Sequence, residues 1–461
     1  MIRKVFAILL TFSYIDATAQ VTGLPILGEG VGVGFSLQQL KDSARQNNIA
    51  IRTARFSMDA ARQQRKEAFT KYFPNVSGTG AWFNANKGMA RMDIDPSAMI
   101  SPEMGATLAA MFPAEALAAL QTPMGMSMMK NGTIASLTAI QPVFAGGQIV
   151  NGNRLAKVGE EVSQLQMRLS ENEVDLQTEQ YYWQLVSLQE KMKTLAAVDT
   201  LLSDIYKDVD VAVRAGVAMR NDLLQVQLRR GDIESQRVKL RNGISIVRLL
   251  LAQFCGLSES EELRVKSEEF AAAIPSPEGI PEGNASLSNL PEYQLLQKQV
   301  EATKLQRQMA VGQQLPSVAV GAGYNYHNLL ENDRSFGMVF ATVSVPISDW
   351  WGGSHAVRRK KIEQQKAEAQ LADNAQLLRI RMQNAYNAVV EANQQLQIAN
   401  RSIEQAEENL RLNRNFYKAG TSKMSDLLEA QLLYQQALDK RVDACADQQL
   451  RLLEYRQATG Q

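Results

Sequence analysis

From Leu37 onward, apolar and small residues recur every three or four positions: Leu37, Leu40, Ala44, Asn47, Ile51, Ala54, Met58 and Ala61 make one stripe, and Val158, Val162, Leu165, Leu169, Asn172 and Leu176 another. This is the period of a left-handed coiled coil. Leu195, Val198, Leu202, Ile205, Val209 and Ala212 continue it, and Leu240, Ile244, Val247, Leu251 and Phe254 resume it beyond Ala215-Gly216. Asn, Gln and Ala interrupt the stripes, so the seams can pack closely while one face meets water. The spacing predicts helices over 36–72, 154–213, 221–255, 291–314, 355–416 and 425–458. Their lengths are roughly 55, 90, 50, 36, 93 and 51 Å at the α-helical rise. The short helices before and after each long one can therefore stack end to end beside it.

Between these helices the period changes from helical to two. Strands are predicted at about 74–84, 133–144, 316–326 and 336–347. In the third, Val318, Val320, Ala322, Tyr324 and Tyr326 alternate with small residues, giving one apolar face that ends in aromatics. In the fourth, Val339, Ala341, Val343 and Val345 alternate against Met338, Phe340, Thr342 and Ser344, so both faces are fairly apolar. The lengths suit tilted transmembrane strands, with Trp82, Phe83, Tyr324 and Tyr326 as an interfacial aromatic girdle. A soluble sheet with one buried face fits the pattern equally. Four strands cannot close a pore alone, so a barrel requires an oligomer.

The chain is also doubled. Arg-Ala-Gly-Val-Ala-Met-Arg-Asn-Asp-Leu-Leu from Arg214 and Lys-Ala-Gly-Thr-Ser-Lys-Met-Ser-Asp-Leu-Leu from Lys418 align with an offset of 204 residues, and Pro142/Pro346, Tyr182/Tyr386 and Gly256/Gly460 keep that offset. Such a unit is far longer than a solenoid repeat. The expected organisation is a signal peptide at 1–19, an N-terminal segment at 20–35, repeat one at 36–256, a linker or equatorial region at 257–290, and repeat two at 291–461.

The signal peptide follows from Met1-Ile-Arg-Lys, the apolar run from Val5 to Ile15, and Ala17-Thr-Ala-Gln. No Cys follows the cleavage point, so lipid anchoring there is not expected. Beyond it no run of eighteen apolar residues occurs, hence no membrane-spanning helix. If the chain crosses a membrane, it does so as strands closed into a barrel. A net charge of +1 gives no reason to expect nucleic acid.

With two copies of helix, strand, loop, strand, long helix, Ala-Gly turn and Asp-Leu-Leu return helix, the chain resembles the TolC-type outer-membrane factors. The resemblance spans about 36–460 and is most specific at the junctions Gln141-Pro-Val-Phe-Ala-Gly-Gly147 and Val345-Pro-Ile-Ser-Asp-Trp-Trp-Gly-Gly353. There Pro142, Gly146, Gly147, Pro346, Gly352 and Gly353 carry it. It implies an α+β membrane protein: a homotrimer with a twelve-stranded β-barrel, four strands per chain, continued by an α-helical periplasmic tunnel. It implies the outer membrane of a Gram-negative bacterium, contact with outer-membrane lipid, and the role of exit duct for a tripartite efflux pump or type I secretion system. The partners would be a periplasmic adaptor and an inner-membrane transporter. The periplasmic gate falls by motif on Tyr417, Asp426 and Glu429, with Asp222 as the repeat-one counterpart of Asp426. Glu429 stands where the family form compared has aspartate. The adaptor would dock on the turns Ala215-Gly216-Val217 and Ala419-Gly420-Thr421.

Bland readings stand beside these. Asp222 and Asp426 can cap the return helices. The insert 84–130, with nine methionines from Met89 to Met129, is an extracellular loop or lid on the barrel reading; thioethers also suit Cu(I) or Ag(I), but no His or Cys in it supports a metal site. Trp350 and Trp351 suit either the lipid interface or the barrel-to-tunnel junction. Cys255 and Cys445 lie at heights too different for a disulfide. No cofactor, metal site or catalytic constellation is legible, so an enzyme is not expected. The rival reading is a structural periplasmic coiled-coil protein, which leaves the four strands without a purpose.

Overall fold

Two helices, one in each repeat, set the length of the molecule. The computed structural model describes residues 35–88, 90–95, 100–111, 113, 124–129, 131–257, 286–328, 333–347 and 349–460. The long helices are α4, Gln148–Arg214, and α7, Asp349–Lys418, about 100 and 105 Å at the α-helical rise. Before α4 come α1, Leu37–Asn47, and α2, Ile49–Thr70. After it comes α5, Arg220–Cys255. In repeat two, α6, Pro291–Gly312, and α8, Met424–Thr459, hold the places of α2 and α5. α2 packs beside α4, α4 beside α6 and α6 beside α7; towards the tips, α5 flanks α4, and α8 lies between α4 and α7.

The helix expected over 36–72 is broken at Asn48. Its start follows from a capping box, in which Ser36 Oγ accepts from the Gln39 N–H and Gln39 Oε1 accepts from the Ser36 N–H. The break has a tertiary cause. Asn48 is extended (ψ 135°) and caps α2 by accepting from the Ala50 N–H at 2.8 Å, while its Nδ2 donates to the Phe254 carbonyl at 3.0 Å. Asn47 Nδ2 and Ser43 Oγ reach the Cys255 carbonyl. The orphan carbonyls ending α5 are thus satisfied by the kink between α1 and α2.

Around that joint lies one core, with Leu40, Ala44 and Ile51 against Tyr182, Leu185 and Val186 of α4 and Leu251 and Cys255 of α5. Burial pushes the Cys255 thiol up to about 12. A second core, at the tips, contains Leu195, Val198, Leu202, Ile205 and Val209, the stripe read from sequence, with Val226, Met424 and Leu427.

Four strands form one antiparallel sheet in the order β1-β4-β5-β6: β1 Asn75–Asn84, β4 Asn131–Ala145, β5 Ser317–His327 and β6 Arg334–Ser344. Each lies within three residues of its expected bounds. The insert between β1 and β4 carries a hairpin, β2 Ala90–Ile94 with β3 Met124–Met128, and a short helix α3, Pro102–Met111. Met89 and Met99 in this insert, the proposed signal peptide, and 258–285 of the linker region lie outside the described residues.

Register separates the two faces of the sheet. Val76, Ala139, Ala322 and Val339 are successive cross-strand partners, as are Gly78, Leu137, Tyr324 and Gly337. Val320, Ala341 and Val343 share this face, whereas Phe336, Met338 and Phe340 of the fourth strand lie on the other. The opposite face carries Asn75, Ser77, Thr79, Ser136, Thr138, Asn325 and Thr342 among its apolar groups. No described residue covers the apolar face: Val339 is 85% exposed and Val343 68%. Trp82, Tyr324 and Tyr326 belong to it, but Phe83 does not. An odd step along β1 turns Phe83 to the polar face, so three of the four aromatics expected on the apolar face share it.

Candidate functional site at the tips and junctions

α4 and α7 end in the same turn. Gly216 (φ 76°) and Gly420 (φ 75°) adopt left-handed backbone. The Val217 N–H donates to the Ala212 carbonyl and the Gly216 N–H to Val213, as Thr421 donates to Phe416 and Gly420 to Tyr417, all between 2.9 and 3.0 Å. This is the Schellman pattern that closes a helix end. No atom lies within 4 Å of where a Cβ would stand at either glycine, so backbone conformation alone requires them. Ala215, Gly216, Val217, Ala419, Gly420 and Thr421 are all exposed.

The carboxylates that follow are held differently. Asp426 is the third residue of α8 and accepts from the Lys423 backbone N–H at 3.2 Å and from Ser422 Oγ and Ser425 Oγ at 3.1 Å. These bonds, the Lys423 N–H foremost, hold its carboxyl below the usual range. Asp222, at the same position in α5, accepts no hydrogen bond among the described residues. It is half-buried and lies near Tyr417, whose hydroxyl is pushed up by burial first and by the Asp222 charge second. Tyr417 packs against the tip core. Glu429 is exposed one turn beyond Asp426, and their spacing puts both on one face of α8. The structure thus pairs Tyr417 with Asp222 across the repeats and leaves Asp426 and Glu429 facing solvent. Neither aspartate is an N-cap residue, a place taken by Met219 and Lys423; Asp426 caps from the third position, and Asp222 does not.

One set of residues escaped the sequence reading. Arg229 on α5 donates to Gln431 Oε1 at 3.0 Å and Gln435 Oε1 at 2.9 Å on α8, and Gln435 Nε2 donates to Gln236 Oε1 at 2.9 Å. Burial lowers the Arg229 pKa. Gln431 is fully buried. This polar link ties together the two return helices. Its sequence signals were two glutamines, Gln431 and Gln435, set one turn apart on the stripe that buries Met424 and Leu427, and the repeat of Gln431 at Gln227.

The two strand-to-helix junctions also differ. At the first, Pro142 sits beside a β-bulge, and Gly146 (φ 59°) and Gly147 (φ 75°) turn the chain into α4. A Cβ on Gly146 would stand 2.1 Å from the Gly312 carbonyl oxygen, so this backbone contact at the end of α6 admits no side chain. At the second, Pro346 follows β6, while Gly352 and Gly353 lie inside α7. Trp351 is 87% exposed.

A four-stranded antiparallel sheet continued by paired long helices, doubled along the sequence and turned at left-handed glycines, defines the fold class. Residues 283–461 match the family described as outer membrane efflux protein. No curated protein sequence matches the chain. Among solved structures, the fold is similar to the outer membrane protein VceC of Vibrio cholerae, at 14% identity and TM-score 0.70 over 92% of this chain and 96% of that one. It is similar to CusC at 15% identity and TM-score 0.74 over 94% and 95%, and to the open state of the Neisseria gonorrhoeae MtrE outer membrane channel at 16% and 0.70 over 92% and 88%. The family match falls on the second repeat, and the likeness to these solved structures is one of fold over nearly the whole chain.

Proposed function

We propose that the chain is one of three identical subunits of an outer-membrane exit duct serving a tripartite efflux pump or a type I secretion system. The observation that carries this reading is a single-layer sheet with, among the described residues, one uncovered apolar face and two open edges, β1 and β6. In lipid, open edges must find partners. β1 and β6 have nearly equal lengths and run in opposite directions, so β1 of one copy can pair antiparallel with β6 of the next. Three copies close the barrel at twelve strands, and α7 of each copy then stands beside α2 of its neighbour to close the tunnel. Residues 1–19 are removed on export, the 84–130 insert faces outward, and the tips lie in the periplasm.

Asp426 and Glu429, repeated three times around the axis, form an acidic constriction, and Tyr417 with Asp222 braces it from the tip core. An adaptor seated on the Ala-Gly turns separates α5 from α8 and breaks the Arg229–Gln431 link. Folded protein migrating as a heat-modifiable trimer and conducting in a planar bilayer is the expected result; a monomeric, water-soluble product without conductance overturns the reading. Replacing Tyr417 by Ala and Asp426 by Asn together raises conductance, whereas unchanged conductance rejects the gate.

A further inference from the structure

Where α2 and α4 approach the foot of the sheet, five cations surround a cleft of about 620 Å³. Arg62, Arg65 and Lys66 come from α2, and Arg154 and Lys157 from α4; one carboxylate, Glu160, lines the cleft with them. Arg65 takes Glu160 at 2.7 Å, while Arg62 stays 3.9 Å away. Lys157 is 3.7 Å from Glu161, which Lys298 holds more closely at 2.6 Å. Lys66 and Arg154 have no hydrogen bond or ion pair among the described residues. The cleft therefore holds more positive charge than its own carboxylates satisfy.

Its upper wall is aromatic. Phe69 and Tyr72 meet edge to face with ring centroids 5.6 Å apart, and Phe69 is 56% exposed. Gln141, which faces Val320 on the apolar side of the sheet, donates to the Tyr72 carbonyl at 3.1 Å, so the cleft continues the apolar face downward. The other side has a separate cleft, where Gln148 and Gly152 meet Asn75 and Pro142 of the polar face. By helical rise, Arg65 and Lys66 lie about 6–8 Å below the end of α2, and Arg62, Arg154 and Lys157 about 9–14 Å below the strand-helix boundaries. A headgroup layer is about 5–8 Å thick, and long basic side chains reach up into it.

We propose that this cleft binds the phosphate headgroup of an anionic phospholipid in the periplasmic leaflet. Arg62, Lys66, Arg154 and Lys157 hold the phosphate, and Phe69 and Tyr72 pack on the glycerol and first methylenes. Arginine forks match phosphate oxygens in pairs. The assignment rests on the membrane placement of the sheet given above.

The test uses full-length trimers in nanodiscs of mixed phosphatidylglycerol and phosphatidylethanolamine, with retained lipid read by native mass spectrometry. Phosphatidylglycerol is retained preferentially. Retention falls at least about tenfold in R62Q/R154Q/K157Q, which removes three of the phosphate-binding charges, and is unchanged in K207Q/K239Q, which removes exposed charge elsewhere. Equal retention of the two lipids, or unchanged retention in the triple variant, overturns the site. Labelled inorganic phosphate bound in zwitterionic nanodiscs and lost in the triple variant would assign the cleft to free phosphate and overturn the lipid. Conductance of the same preparations separates the failures: conducting trimers without lipid preference sink only the lipid site, whereas a non-conducting monomer sinks the duct reading with it.

Discussion

The tips of the two repeats have the same backbone and different fastenings. Both close with a left-handed glycine and a Schellman pair, and both place an aspartate third in the return helix. Repeat two then buries its first helical residue, Met424, to 1% exposure in the tip core and ties Asp426 to three donors. Repeat one offers Arg220 to solvent at the matching place and leaves Val217 and Met219 80% and 75% exposed. The same turn motif therefore encodes a fastened tip in one repeat and an apolar, loosely held tip in the other. What differs is not the motif but the residues on either side of it, which decide what the turn can hold on to.

That contrast can be broken most strongly at Met424. Met424→Ala leaves a cavity in the tip core and should destabilise the folded chain by about 2–5 kcal/mol, whereas Arg220→Ala should stay within about 0.5 kcal/mol; denaturant titration reads both, and equal effects would erase the distinction. The glycines come next. Gly216→Ala and Gly420→Ala each force an alanine into left-handed backbone, at about 1–2 kcal/mol, with similar losses expected because neither position is crowded.

Asp426→Asn should open the start of α8 to hydrogen exchange, and Asp222→Asn should leave the start of α5 unchanged. The pH dependence has a definite sign. Because the folded Asp426 carboxyl is depressed, its contribution is fully present above its ordinary value near 4 and is lost as pH falls through the lower folded value. The local protection of α8 should weaken in acid below about pH 4, and D426N should remove that dependence. The smallest effect concerns Tyr417. Burial is the larger cause of its raised pKa, so D222N should bring the phenol only part of the way back, seen as the wild-type minus Y417F difference in phenolate absorbance.

Much of this was legible in the chain. The stripe Leu195, Val198, Leu202, Ile205 and Val209 proved to be the spine of the tip core, because a long helix with one apolar seam has few ways to bury it. The alternation Val318 to Tyr326 likewise marked one face of β5, since a strand's side chains can only alternate. Phe83 adjoins Trp82 in sequence but takes the opposite face of the sheet, a division set by strand register. Asn48 broke an apparently continuous helix because its partner, the Phe254 carbonyl, lies 206 residues away. The Arg229–Gln431 link was invisible for the same reason. Trp350 and Trp351 stand at the offset positions of Gly146 and Gly147, so similar Pro-to-Gly-Gly spellings hid a tight glycine turn in one copy and a helical start in the other.

By itself, the sequence determined the doubling and the kinds and order of the long helices and the four strands of the main sheet, because period, glycine turns and caps are properties of neighbouring residues. Only the tertiary structure decided which face of the sheet each aromatic takes, where the first helix breaks, which aspartate is bonded and which faces Tyr417, and that basic side chains from two helices converge below the apolar face. Each of these depends on groups brought together from distant parts of the chain, and no local pattern encodes such a meeting.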